Sequence, residues 1–276
     1  MILGKNIREP VAAGSFYPGN PDELRRLIER FLANAKLQNI NNIISIVCPH
    51  AGYIYSGQVA AHSYKQISGM EYDSIIIIAP SHSEYFNFIS VFDGDAYRTP
   101  LGTVNVDRER AQLLASKSPY IRLSFHGHLN EHSLEVQLPF LQVLFKDIKI
   151  VPVVMGQQNN QNINELGETI GTLFKNDKIL IIASTDLSHY YPYETAVALD
   201  SKVIELVDSF DINGLKAGFI SDRLEMCGGG PVTSAMIASK LMGADSSKVL
   251  DYKNSGDVTG DTSAVVGYMS AAFYKK

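Results

Sequence analysis

The chain has 276 residues, with 24 Lys and Arg against 29 Asp and Glu and an apolar share of 45%. That share is enough to build a core and excludes wholesale disorder. A formal charge of -5 with no Lys/Arg cluster argues against a nucleic-acid partner or an anionic membrane surface. No apolar span is long enough to cross a bilayer, Met1 to Pro10 lacks the apolar core of a signal peptide, and Cys48 and Cys227 read as free thiols. A cytoplasmic protein is therefore expected, and with no internal linker visible, a single domain over 1–276.

Val11 to Asn20 is an irregular lead-in containing Gly14, Pro18 and Gly19. Asn20 suits an N-cap and Pro21 a first helical position, with Asp22 and Glu23 at the positive end of the helix dipole. Leu24, Leu27, Ile28, Phe31 and Leu32 then recur at helical spacing, giving one core-facing stripe. Ile43 to Cys48 is a short run rich in β-branched residues that stops at Pro49 and delivers His50. Ser74 to Ala79 does the same before Pro80-Ser81-His82, and Ile179 to Ser184 before Thr185-Asp186-Leu187-Ser188-His189. Runs apolar at nearly every position are what strands buried on both faces of a parallel sheet look like. In such sheets ligands bind beyond the carboxyl ends of the strands, so His50, His82 and His189 should meet at one rim.

Between these runs, Gln58 to Ile67 reads as a helix carrying His62, and Phe86 to Val106 as short antiparallel strands at the sheet edge. Asp107 caps a helix to about Ser116. His126, His128, Glu131, His132 and Glu135 fall within one tract, in no familiar zinc spacing, as a loop entering a helix over 134–145 with Asn130 or Ser133 as its cap. Lys149 to Gly156 reads as a strand, Ile163 to Phe174, Glu194 to Asp208 and Ile212 to Phe219 as helices, and 249–254 and 262–273 as two last strands. Asp186, three residues before His189, can orient an imidazole or cap a turn. Gly228-Gly229-Gly230-Pro231 leads into a helix over 232–242, which sets Cys227 just before a helix N-terminus, where the dipole favours thiolate. The fold class is thus α/β: a central, largely parallel sheet with helices on both faces and an antiparallel extension.

Arg8-Glu9-Pro10, Ala13 to Pro18, Pro49-His50-Ala51-Gly52-Tyr53, Pro80-Ser81-His82, Glu131 to Pro139, Ser184 to His189 and Met226-Cys227-Gly228, in that order, resemble the Memo family over nearly the whole chain. The resemblance implies a fold similar to the class III extradiol dioxygenases, which hold non-haem iron by two histidines and a glutamate with a further histidine as acid/base. By position it implies His50 and His82 as metal ligands, Cys227 in the place of the glutamate, and His189 with Asp186 as catalytic groups. Tyr53, His132 and Glu135 are candidates to line the pocket. A thiolate in place of a carboxylate softens the site towards copper(I), zinc or thiolate-tolerant iron and away from ordinary ring cleavage. Two functions stay open: a metal-dependent oxidoreductase acting on a small molecule, and a non-catalytic regulatory protein whose cleft holds a metal or a peptide. The resemblance also implies a pathway shared with radical-SAM and AMMECR-type proteins. Two cysteines cannot themselves supply an iron–sulfur cluster.

Overall fold

A computed structural model describes residues 6–276. The chain runs through β1 (Ile7–Arg8), α1 (Pro21–Asn34), β2 (Ile43–Cys48), α2 (Tyr53–Gln66), β3 (Ser74–Pro80), β4 (Ile89–Phe92), β5 (Ala96–Thr99), β6 (Gly102–Val106), α3 (Arg108–Ala115) and β7 (Ile121–Ser124). A 3-10 turn at Glu135–Gln137 leads into α4 (Leu138–Leu144), followed by β8 (Lys149–Met155), α5 (Asn160–Leu173), β9 (Ile179–Ser184) and β10 (His189–Tyr191). The last elements are α6 (Tyr193–Asp208), α7 (Ile212–Ile220), α8 (Gly229–Leu241), β11 (Ser246–Asn254), α9 (Ser255–Thr259) and β12 (Val265–Tyr274).

One sheet holds the strands in the order β1-β5-β6-β8-β3-β9-β2-β12-β10, with β11 on β12, β4 on β8 and β7 on β4. Its centre, from β6 through β8, β3 and β9 to β2, is parallel. β12 runs antiparallel to β2, β10 and β11. The expected fold class is what the chain adopts. β5 and β6 form the expected edge hairpin, while β1 and β7 join β5 and β4 in parallel. At two, four and three residues, β1, β7 and β10 are too short for a periodic signal in the sequence.

The β-branched runs form strands because both faces of the sheet are covered. Ile75, Ile76, Ile77 and Ile78 are fully buried, each worth about 1.5–3 kcal/mol of apolar burial. In β2, Ser45 meets Ser239 of α8, while Cys48, on the opposite face by the two-residue period, lies against Ser63 and Tyr64 of α2. α8 and α2 therefore cover opposite faces. α1 starts as its sequence dictates, with the Asn20 side chain accepting from the N–H groups of Asp22 at 3.0 Å and Glu23 at 3.1 Å.

The last two strands run from Ser246 and Val265 rather than 249 and 262, with α9 between them, and α5 starts at Asn160; nearer the site the structure differs from the periodic reading in three places. α2 begins at Tyr53 rather than Gln58, directly after the histidine loop. The helix expected over 134–145 is a 3-10 turn followed by α4, with no side-chain cap at either start. Ser133 Oγ instead donates to the Pro80 carbonyl at 2.9 Å, tying this segment to the end of β3. α8 takes Gly229 and Gly230 into its first turn. Gly228 has a structural reason to be glycine: a Cβ there would stand 2.3 Å from the Ser184 carbonyl oxygen.

Candidate metal centre

The register of the parallel strands sets the site. Cys48 lies opposite Ser184 between β2 and β9, and Ile78 lies opposite Ala183 between β3 and β9. The segments leaving β2, β3 and β9 therefore emerge side by side, where an open α/β sheet places its ligands. His50 follows β2 and is 2% exposed. His82 follows β3, and the Ser133 bond to the end of β3 brings in His132. The three rings pack with centroids 5.1 Å apart for His50 and His82, 5.5 Å for His50 and His132, and 5.0 Å for His82 and His132. One ring nitrogen from each lies within 4.8 Å of the others, a group that could hold a metal ion.

Hydrogen bonding fixes the tautomers. Ser184 Oγ donates its one proton to the Ser133 carbonyl at 2.7 Å and accepts from Gln137 Nε2 at 2.9 Å. Its contact with His50 Nδ1 at 2.9 Å must then be a bond donated by the imidazole. Glu131 Oε1, an acceptor, lies 2.9 Å from His82 Nδ1 and 3.3 Å from His132 Nδ1. The Nδ1 atoms of His50 and His82 are thus engaged as donors, which leaves the Nε2 of each with the lone pair a ligand bond needs, while His132 Nδ1 lies near the Glu131 carboxylate without a hydrogen bond to it.

Cys227 stands on the other side of His50, its Sγ 3.2 Å from His50 Nε2. Asp186 N–H donates to that sulfur at 3.2 Å, and Cys227 N–H donates to the Asp186 carbonyl at 3.2 Å. Gln158 bridges the Cys227 carbonyl and Gly230 N–H at 2.7 Å each, holding the cysteine at the start of α8. Metal–nitrogen and metal–sulfur bonds of tetrahedral zinc put the two donors about 3.5 Å apart, so the spacing of this one pair is compatible with a shared ion, although the donors that cluster within 4.8 Å are those of His50, His82 and His132 and not Cys227. The Asp186 carboxylate accepts from His50 N–H at 2.8 Å and lies 3.9 Å from His50 Nε2.

Burial drives most of the protonation. It pushes His50 well below an ordinary imidazole, with the neighbouring His82, His132 and His189 adding to the effect, and it lowers His132. Burial also works against a charged His82, yet the hydrogen bond and charge of Glu131 raise it. The Glu131 carboxyl would rise on burial, but the bonds from His82 and Ser133 hold it at about 2. Burial pushes Asp186 up to about 7 against the opposing bonds from the His50 and Ala51 N–H groups. At Cys227 the helix start does not by itself give the expected thiolate: burial and the nearby Asp186 push the thiol upwards in the metal-free chain, against the bonds from the Asp186 and Gly228 N–H groups and Thr185. Without metal the S–H faces the His50 Nε2 lone pair.

His189 begins β10, its N–H 3.3 Å from Glu225 Oε1, close enough to the cluster for its charge to bear on His50. Tyr53 is buried, its hydroxyl donating to the Val136 carbonyl at 2.6 Å. Glu135 is fully buried and spends its oxygens on Arg8, Tyr17 and the N–H groups of Val11 and Ala12 at 2.8 and 3.0 Å. Both stand behind the histidines. Of the tract's other histidines, His126 is on the surface against Glu84, and His128 is buried between the Tyr97 hydroxyl and the Ser90 carbonyl. The roles of Ser184 and Arg8, and the bond of Glu131 to His82, leave no signal in local sequence spacing, because these partners lie far along the chain.

A sheet parallel at its centre, with converging imidazoles, a thiol and carboxylates where its strands end, defines an α/β protein with a metal-compatible histidine cluster. The chain belongs to the Memo family: the family model described as Memo-like protein matches residues 8–272. It is similar to a MEMO1 family protein of Methanosarcina barkeri, 39% identical over 265 residues covering 95% of this chain and 98% of the relative. A MEMO1 family protein of Methanocaldococcus jannaschii is 41% identical over 282 residues, covering 96% and 98%. The fold is shared with an uncharacterised protein from Escherichia coli K12 at 13% identity, with a TM-score of 0.53 over 83% of this chain and 99% of that one.

Proposed function

We propose that the cleft holds one iron or copper ion, with zinc as the competing occupant, and that the protein is a metal-dependent oxidoreductase acting on a small molecule. The observation that carries this is the set of three imidazoles, each offering a ring nitrogen to one 4.8 Å group, with the Nδ1 atoms of His50 and His82 held by Ser184 and Glu131. His50 and His82 are ligands in any arrangement, and His132 and Cys227 flank them as the remaining donors. The ion would supply a redox centre or a Lewis acid. His189 serves as the acid/base, and Asp186 holds the His50 main chain and takes up or releases a proton within the cleft. The reading includes a cytoplasmic pathway shared with a radical-SAM protein and an AMMECR-type protein. With two free cysteines among the described residues, radical chemistry on an iron–sulfur cluster would belong to another chain.

The test is metal analysis of anaerobically purified protein together with His50→Ala, His132→Ala and Cys227→Ser. Loss of metal in His50→Ala is expected, and whichever of the other two also loses it names the third ligand. Retention of wild-type metal content and affinity in all three would remove this site. Ring cleavage is expected to be absent, because a thiolate beside the ion is open to oxidation. Apoprotein loaded with ferrous iron and given catechol and oxygen should form no ring-opened product over multiple turnovers. Sustained formation abolished by His189→Ala would make the protein an ordinary extradiol dioxygenase.

A second reading rests on the surface. The most exposed large apolar side chains among the described residues are Tyr85 at 85%, Tyr190 at 76% and Ile54 at 71%, and each follows His82, His189 or His50 by no more than four residues. Such side chains beside a cleft suit a peptide ligand held without turnover.

A further inference from the structure

Glu131 anchors His82 by a hydrogen bond and lies 3.3 Å from His132 Nδ1, so the segment carrying it must itself be held. Arg8, in β1, does this with one guanidinium: Nε donates to the His128 carbonyl at 3.0 Å, Nη2 to the Glu131 carbonyl at 2.6 Å, and Nη1 pairs with Glu135. Arg8 is 2% exposed and Glu135 fully buried, so these bonds are made away from water. A single planar fork thereby fixes both ends of the segment from His128 to Glu135, with Glu131 and His132 between them. An ion pair serving stability alone would need only Glu135. The two bonds to main-chain carbonyls are spent on the shape of the segment.

We propose that Arg8 is a positioning residue of the metal centre: its guanidinium sets the segment His128 to Glu135, and through it the placement of the Glu131 carboxylate and of the His82 and His132 rings. The inference rests on the metal reading above and deepens it, making a two-residue edge strand a working part of the site. Lysine at this position keeps the charge for Glu135 but lacks the planar fork. It cannot also reach both carbonyls in the same geometry.

The experiment titrates cobalt(II), as a spectroscopic probe metal, into wild type, Arg8→Lys and Tyr17→Phe, with thermal unfolding of each. Tyr17→Phe removes one donor to Glu135 and leaves the Arg8 fork intact, so it serves as the control for stability. The expected result is a 10–100-fold loss of cobalt affinity in Arg8→Lys, the range for lost outer-shell partners, with altered visible bands. Tyr17→Phe should keep the wild-type affinity and spectrum even where its stability falls as far. Wild-type affinity and bands in Arg8→Lys overturn the proposal. If Arg8→Lys does not fold, Arg8→Gln combined with Glu135→Gln removes both buried charges together and is judged by the same criteria. Failure of the wild type to take up cobalt would instead strike the metal reading. The imidazole nitrogen resonances of His82 and His132 in the apoprotein then decide: displacement in Arg8→Lys supports the positioning role, and unchanged resonances overturn it.

Discussion

Asp186 sits at the junction of the chemistry and the stability of the cleft. It is 3% exposed, and burial outweighs the His50 and Ala51 N–H groups and the His82 charge that favour its carboxylate, raising it from 3.8 to about 7. The folded apoprotein therefore prefers a protonated Asp186. The stability this contributes is fully present below the unfolded value, near pH 4, and is lost as pH rises through about 7. Asp186→Asn keeps an oxygen for the His50 N–H and cannot ionise. Relative to wild type, this variant should be unchanged at pH 4 and more stable at pH 8, by up to about 4 kcal/mol. Urea unfolding of both apoproteins across that range checks it, and parallel curves would show that Asp186 ionises freely in the folded state. The histidines placed after β2 and β3 were legible residue by residue, because a buried strand ending at proline marks its own exit. Cys227 was legible as a position but not as a protonation state, since the sequence shows the helix start and not the burial that opposes it.

Among the elements, the junction between the end of β9 and the start of α8 carries the most consequence. Gly228 N–H donates to Thr185 Oγ1 at 2.9 Å, and a Cβ at Gly228 would meet the Ser184 carbonyl and the Thr185 side chain. Main chain cannot give way as a side-chain tip can, so Gly228→Ala should cost about 1–3 kcal/mol. It should also move Cys227 away from His50. Thermal unfolding reads the first effect, and loss of metal affinity without any change of a donor residue reads the second. The long strands β2, β3, β8 and β9, and helices α1, α3 and α5, could be read from the sequence because burial on two faces or on one stripe leaves a regular pattern. The His126 to Glu135 tract could not. Its place depends on Ser133 bonding to the end of β3 and on Arg8, 120 residues from His128 in sequence, and such distant pairings leave no local period.

Over the whole molecule, the candidate ligands come from four separated places: the ends of β2 and β3, the segment before α4, and the start of α8. A ligand that binds only the folded state stabilises it by mass action. An ion held here should therefore raise the melting temperature of the entire chain, by about 2.7 kcal/mol of stability at a free concentration one hundred times the dissociation constant. A chelator should reverse the shift, and His50→Ala should abolish it. A shift of the same size in His50→Ala would mean that the ion binds elsewhere.

β2, which delivers His50, lies between β9 and β12, and Val47 pairs with Ala271 of the last strand. During synthesis both neighbours of β2 are made long after it, β9 first and β12 later still. Until then one hydrogen-bonding edge of an apolar strand is open to pairing with other chains. The nascent protein therefore carries the strand that delivers His50 with an unpaired edge until β12 is made. A message interrupted before Val265 should yield an aggregating product rather than a folded protein that merely lacks its tail.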